Sequence, residues 1–177
     1  TVNTVLFLET KSVLVALRDS GARIGIISTK YRYRIKELLD QHFPSNFIDI
    51  IVGGEDVKAA KPSPEGLLFA IKQLHVTKAE TLYIGDSTVD AQTAKSADVD
   101  FVGVLHGMTT AEELQQYPHK KIMNSLEELL EKEPLTEQRT QVKNSKPNQN
   151  LKKVILILTF ISIFLAIIAI YIFKPFL

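Results

Sequence analysis

The sequence of 177 residues contains no cysteine and almost no excess of charge of either sign. Without cysteine the chain cannot form disulfides, thiolate nucleophiles or cysteine–zinc sites, so any catalysis must use oxygen or nitrogen groups. The absence of cysteine also fits a reducing compartment. Lysine plus arginine (21) nearly balance aspartate plus glutamate (20), so no strongly positive field marks a nucleic-acid-binding protein. Any functional charge must therefore be local.

Length and composition predict one globular domain followed by three shorter segments. Residues 1–133 have the mixed composition of a domain that can bury a core. Residues 134–153, PLTEQRTQVKNSKPNQNLKK, lose the apolar periodicity, and we interpret them as a polar, basic linker. An apolar run, 154–173, and a short tail, 174–177, complete the chain.

The apolar run predicts a transmembrane helix. Residues 154–173 carry no charge, and twenty helical residues span about 30 Å, the thickness of the hydrocarbon core. A buried core helix is the alternative, which we disfavour because apolar residues cover every side. Five basic residues precede the run and one follows it: Arg139, Lys143, Lys146, Lys152, Lys153 and Lys174. This bias predicts a membrane localisation through a single-pass C-terminal anchor, with the globular domain on the cytoplasmic side.

Within residues 1–133, apolar runs typical of strands alternate with amphipathic helices. The predicted helices include ETKSVLVALRDSG, YRYRIKELLDQHF and the stretch after KPSP; the predicted strands are RIGIIS, FIDIIVG, TLYIGD and FVGVLHG. Strands that are apolar throughout and separated by helices predict an α/β fold, a Rossmann-like three-layer arrangement around a parallel sheet. Ligands of such sheets bind outside the carboxyl ends of the strands.

Several helix boundaries and faces are also predicted. Gly21 suits a left-handed helix stop, and Ser63 is expected to cap a helix whose first turn holds Pro64. The stretch SLEELLEKE, from Ser125, is expected to form a helix at the edge of the sheet. The predicted inward-facing residues are Val13, Leu14, Leu17, Ile35, Leu38, Leu39, Leu67, Leu68, Ile71 and Leu74.

Two of the predicted strand ends carry groups suited to phosphate. Ser28 and Thr29 leave a strand and enter a helix, where hydroxyls and backbone N–H groups can bind an anion; a plain helix cap is the alternative. Lys61 directly precedes a proline, which favours an extended backbone. A fixed ammonium there can neutralise a phosphoryl group or a carboxylate nucleophile. The alternative interpretation of the same sequence is an ordinary surface lysine.

A third strand end carries two carboxylates. Asp86 and Asp90 follow the buried run YIG, in which Gly85 allows a sharp turn. The pair can converge on one hard cation such as Mg²⁺ with its waters, and that cation would shield a phosphate from an attacking anion. The alternative is a helix N-terminus that is stabilised by acidic residues.

In this order and spacing, GIISTK, KPSPEGL and GDSTVD resemble the second, third and fourth motifs of the haloacid dehalogenase-like hydrolase superfamily. The resemblance covers residues 5 to about 131 and is closest to the phosphoglycolate phosphatase-like branch. It implies a magnesium-dependent phosphatase of a small phosphorylated metabolite. The roles that it implies are phosphoryl binding for Ser28 with Thr29 beside it, charge neutralisation for Lys61, magnesium ligation for Asp86, and support of the metal or its water for Asp90.

The family's first motif, DxDx[TV] on the first strand, is expected to be absent from this chain, and so is the helical cap that normally follows it and selects the substrate. That motif supplies the nucleophile and the acid/base, so we expect the core to be N-terminally incomplete and the chain as given to hydrolyse little. The alternative function is a catalytically inactive phosphate-binding or interaction module anchored to a membrane. Carbon–halogen cleavage needs no metal and is disfavoured by Asp86 and Asp90. Substrate identity and oligomeric state are not predicted, and YRYR is interpreted as a solvated helix face or an anion contact.

Overall fold

The computed structural model describes residues 8–131 and 155–158, in which helices and strands alternate as predicted. The helices are α1 (Leu8–Asp19), α2 (Arg32–Asp40), α3 (Glu65–Gln73), α4 (Thr88–Ala97) and α5 (Ala111–Leu114). The strands are β1 (Arg23–Ile27), β2 (Ile50–Val52), β3 (Thr81–Gly85), β4 (Asp100–Val104), β5 (Lys121–Met123) and β6 (Ile155–Leu158). Short 3₁₀ segments lie at Gly54–Asp56, Lys78–Glu80 and Leu126–Leu129.

The strands form one parallel sheet in the order β2-β1-β6-β3-β4-β5. Neighbouring strand residues point to opposite faces, so Ile26 joins one core and Ile27 the other. The first core packs α1, α2 and the Leu126–Leu129 segment on one face; the second packs α3, α4 and α5 on the other. The predicted three-layer α/β fold is confirmed.

The predicted helix boundaries and inward-facing residues agree with the structure in part. Gly21 takes a φ of +88°, as predicted for a helix stop. The predicted inner face of α2 is buried, whereas Leu68 of α3 is exposed. Helix α3 begins at Glu65 with Pro64 at its N-cap, so the prediction of Ser63 as the cap is wrong by one residue. Ser63 Oγ still accepts a hydrogen bond from the Glu65 amide at 3.3 Å. The helix predicted from Ser125 is instead a single 3₁₀ segment, Leu126–Leu129, and strand β5 was not predicted.

Within the apolar run predicted as a transmembrane helix, the structure describes Ile155–Leu158, and these four residues form strand β6 in the centre of the sheet. A run that is apolar on every side suits a strand buried on both faces as well as a helix. At this position the strand pairs with β1 and β3 together, which satisfies backbone groups that would otherwise lack partners. Within the described ranges, no helix has the length and apolar character to cross a bilayer. The rest of 154–173, the linker 134–153 and the tail 174–177 lie outside the described residues.

The parallel topology brings the predicted strand-end residues to one edge. Ile26 of β1 and Ile84 of β3 are both level with Leu158 of β6. Ser28 and Asp86 therefore each lie two residues beyond the same level, on strands separated by two inter-strand spacings, about 10 Å. This edge holds the candidate site.

Candidate functional site

A small cavity that opens to solvent lies between the loops that follow β1 and β2. Ser28, Thr29, Lys61 and Ser63 are among its lining residues. Ser28 is buried, and its Oγ accepts a hydrogen bond from the Lys30 amide at 3.1 Å. Because the oxygen already accepts, the hydroxyl proton can be donated to an anion in the cavity.

The wall of this cavity depends on two glycines. A Cβ on Gly54 would lie 2.5 Å from the Thr29 carbonyl oxygen, and a Cβ on Gly53 would lie 2.5 Å from the Arg32 amide nitrogen. The Gly54 amide donates to the Lys30 carbonyl at 3.0 Å. The loop after β2 therefore packs directly on the loop after β1, which only glycine permits.

Lys61 is buried, with 4% of its side chain exposed, and its Nζ lies 2.7 Å from Asp90 Oδ1. The surface-lysine interpretation is therefore excluded. The loop before Lys61 is fixed by Glu65, which accepts hydrogen bonds from the Lys58 and Ala59 amides, both at 3.0 Å. These two hydrogen bonds lower the pKa of Glu65, and the bond from the Lys58 amide has the larger effect. The peptide bond between Lys61 and Pro62 is cis.

Asp90 is fully buried and is held by groups on its own strand–helix unit. Ser87 Oγ donates to Asp90 Oδ2 at 2.6 Å, and the Tyr83 hydroxyl donates to Oδ1 at 3.3 Å. Burial, followed by the negative charge of Asp90, raises the pKa of Tyr83 well above its ordinary value, so this hydroxyl remains a donor. A Cβ on Gly85 would lie 2.3 Å from the Asp90 Cβ, so the close approach requires glycine.

Asp86 is buried at the end of β3, beside the loop that follows β4. A Cβ on Gly107 of that loop would lie 2.9 Å from Asp86 Oδ2, so glycine leaves space next to this carboxylate oxygen. The described residues contain no group of three histidine, aspartate or glutamate side chains that could enclose a metal. Mg²⁺ is commonly held by one or two carboxylates together with waters and substrate phosphate, so this donor set fits Mg²⁺.

The structure thus brings Ser28, Thr29 and Lys61 to one cavity, joins Lys61 to Asp90, and places Asp86 at the same edge. The sequence analysis missed Tyr83 and Ser87, which hold Asp90, and Gly107, which faces Asp86. The signal for Tyr83 was its hydroxyl within the buried run TLYIG, because a buried hydroxyl needs a partner.

One stretch, Asp98–Val102, matches the letters DxDx[TV], contrary to the expectation that the chain holds none. It spans the end of α4 and the start of β4, so it lies at the amino edge of the sheet, opposite the cavity. The Asp98 side chain is 94% exposed, and Asp100 pairs with Lys120 at 3.2 Å. These aspartates cannot reach a phosphate bound by Ser28 and Lys61.

The sequence pattern of the haloacid dehalogenase-like hydrolases matches residues 2–104, more than half of the chain. The chain belongs to this family. Phosphoglycolate phosphatases from Colwellia psychrerythraea and Pseudomonas putida are each 32% identical to it, over 129 and 127 residues. These matches cover 73% and 72% of this chain and 57% and 47% of the relatives. This haloacid dehalogenase-like chain therefore spans about half the length of the curated relatives that it matches.

A solved structure of the family supports the same assignment. A crystal structure from Bacteroides fragilis, assigned to the haloacid dehalogenase-like hydrolases, is 55% identical and has a TM-score of 0.69. It is matched over 71% of this chain and 60% of its own length. The resemblance to the superfamily and to its phosphoglycolate phosphatase-like branch is thereby confirmed.

Proposed function

We propose that this chain carries the phosphate- and magnesium-binding part of a haloacid dehalogenase-type phosphatase that acts on a small phosphorylated metabolite. The observation that carries the proposal is Lys61: a buried ammonium, anchored by a buried carboxylate, that lines the same cavity as Ser28. Burying a charge is costly, and a pair that only stabilised the fold could be replaced by apolar side chains. The relatives named phosphoglycolate phosphatase support the same reaction class.

The contacts assign a task to each residue. The Ser28 hydroxyl and the remaining N–H donors of Lys61 would bind phosphoryl oxygens. The low dielectric of the buried site would strengthen the attraction between the Lys61 ammonium and the phosphate. Asp90 orients Lys61, while Tyr83 and Ser87 orient Asp90. Asp86 would hold Mg²⁺, with Asp90 supporting its water. The ion would neutralise phosphate charge and so permit an anionic nucleophile to approach.

The described residues place no DxDx[TV] aspartate at this edge, so we expect the 177 residues to bind phosphate but to hydrolyse esters poorly. A longer form that carries this motif should turn over p-nitrophenyl phosphate. An inactive binding module would bind phosphate equally well but would lack turnover in every form.

The experiment that tests the proposal is calorimetric titration of the chain with inorganic phosphate in the presence of Mg²⁺. Lys61→Gln should weaken phosphate binding about tenfold or more, because a hydrogen bond to a charged group contributes roughly 1.5–3 kcal/mol. The matched control is Lys36→Gln, since Lys36 also pairs with an aspartate, Asp40, but on the exposed face of α2. Absence of binding by the native chain, or equal loss in both variants, would contradict the proposal.

We further propose a membrane attachment through 154–173, which rests on the uncharged run and its basic flank. Residues 159–173 alone would span about 22 Å as a helix, so a full crossing requires Ile155–Leu158 to leave the sheet. Phe164→Lys combined with Ile167→Lys should release the chain from the membrane fraction, whereas Lys143→Gln with Lys146→Gln should not. Release of the native chain by carbonate would contradict the attachment.

A further inference from the structure

The YRYR motif forms an ordered array of side chains at the start of α2, just beyond the loop that carries Ser28 and Thr29. The rings of Tyr31 and Tyr33 stack with centroids 5.9 Å apart and planes inclined by 27°. The Arg34 Cζ lies 5.1 Å from the centroid of the Tyr33 ring, and Arg34 Nε donates to the Tyr33 hydroxyl at 3.1 Å. Arg34 therefore supports Tyr33, and Tyr33 supports Tyr31.

This aromatic array, Tyr31, Tyr33 and Arg34, is exposed to solvent. Tyr31 is 60% and Tyr33 59% exposed, whereas Tyr83 and Phe101 are buried in the core. A solvated helix face accounts for an exposed arginine, but it does not account for two aromatic rings held in a stack at the surface. Ordered, exposed aromatic surface is typical of a binding site.

The position of the aromatic array relative to the cavity is fixed. Tyr31 lies three residues beyond Ser28, so their Cα atoms are within about 11 Å of each other. The start of α2 is held at Arg32, directly after Tyr31: the Arg32 amide donates to Glu55 Oε1 at 2.8 Å, and its guanidinium pairs with Asp56. A group stacked on Tyr31 could therefore belong to the same molecule as a phosphate bound at Ser28.

We propose that the aromatic array binds the planar aromatic part of the phosphate ester, and that the substrate class is the nucleoside monophosphates. The inference rests on the proposed function, because the phosphate would occupy the cavity of Ser28 and Lys61 while the base stacks on Tyr31. Every nucleobase has a π-face, so stacking would accept several bases. The ribose would cross the space between the two contacts.

The test compares adenosine 5′-monophosphate, ribose 5-phosphate and inorganic phosphate, titrated calorimetrically into the chain with Mg²⁺. Adenosine 5′-monophosphate should bind about tenfold more tightly than ribose 5-phosphate, since the base takes the place of the anomeric hydroxyl and adds the stacking surface. Tyr31→Ala should abolish that difference and leave inorganic phosphate binding unchanged. Tyr31→Phe should preserve it, and so should Phe69→Ala, which removes an exposed aromatic ring from α3.

A second measurement reports on the rings directly. The chain has no tryptophan, so its emission comes from its five tyrosines and can be followed once it is corrected for the absorbance of the nucleotide. Adenosine 5′-monophosphate, but not ribose 5-phosphate, should quench that emission in the native chain and less in Tyr31→Ala. Equal affinity for the two compounds, or an unchanged preference in Tyr31→Ala, would overturn the aromatic array as a base site. Failure of inorganic phosphate to bind would instead overturn the proposed function.

Discussion

At the scale of single residues, the decisive feature is a buried Lys–Asp pair that spans 29 positions of the chain. Removing both charges from water is costly, and removing one partner leaves the other charge buried without a counter-charge. The chain contains a natural comparison, because Lys36 and Asp40 pair at 2.8 Å while both are about half exposed. Exposed pairs of this kind contribute little to stability.

The comparison leads to the first prediction. Asp90→Asn should lower the free energy of unfolding by roughly 3–5 kcal/mol, because it leaves the buried Lys61 ammonium without its counter-charge. Asp40→Asn, the matched control, should change it by less than about 0.5 kcal/mol. Urea denaturation at neutral pH measures both. Similar changes in the two variants would show that Lys61 is accessible to water.

The second prediction concerns Asp86. If this carboxylate holds Mg²⁺, added Mg²⁺ should tighten inorganic phosphate binding in the native chain but not in Asp86→Asn. Phosphate binding without Mg²⁺ should be no weaker in Asp86→Asn, since the substitution removes a negative charge. Asp100→Asn, at the opposite edge of the sheet, should behave like the native chain. A full Mg²⁺ response in Asp86→Asn would place the metal elsewhere.

At the scale of elements, the loop that delivers Lys61 depends on the first residue of α3. Glu65 is the first residue of α3, and its carboxylate accepts from the Lys58 and Ala59 amides. The pKa of Glu65 is lowered by these bonds, so its contribution to stability is complete above the ordinary value of 4.5 and is lost as pH falls through the lower, folded-state pKa.

Glu65→Gln should therefore destabilise the chain at neutral pH, and the difference from the native chain should shrink in acid. It should also weaken phosphate binding, because the loop that holds Lys61 loses two hydrogen bonds. Urea denaturation across the acid range tests the direction in which this stability difference changes with pH. Glu127→Gln, in the Leu126–Leu129 segment, is the control. A difference that grows as pH falls would contradict the assigned cause.

The elements also show what the sequence could predict. Strands β1, β3 and β4 are buried apolar runs ended by turn signals, so their exits, and with them Ser28 and Asp86, were predictable. Strand β5 has only three residues and carries no such run. Helix α3 was predicted correctly, but Leu68 was wrongly predicted to face the core. The apolar periodicity indicates which side of a helix is buried but not how wide the buried side is. That Lys61 meets Asp90 depends on side-chain direction across two loops, which no local pattern encodes.

At the scale of the whole molecule, the central position of the sheet is filled by the segment furthest along the described chain. β6 pairs with β1 on one side and β3 on the other, so it joins the half of the sheet that carries Ser28 to the half that carries Asp86. The same residues begin the apolar run that we propose for membrane attachment. A strand and a membrane-spanning helix cannot form from Ile155–Leu158 at the same time.

This exclusion can be tested by hydrogen exchange. In detergent-free solution the amides of β1 and β3 should be protected, and Ile157→Pro should reduce that protection, because proline removes a backbone donor from a central strand. After reconstitution in a lipid bilayer, the native chain should show the same reduced protection, since attachment withdraws β6. Val142→Pro, in the segment predicted as a linker, is the control. Unchanged protection in Ile157→Pro would mean that β6 does not hold the two halves of the sheet together, and the site would then have to be assembled around a different central strand.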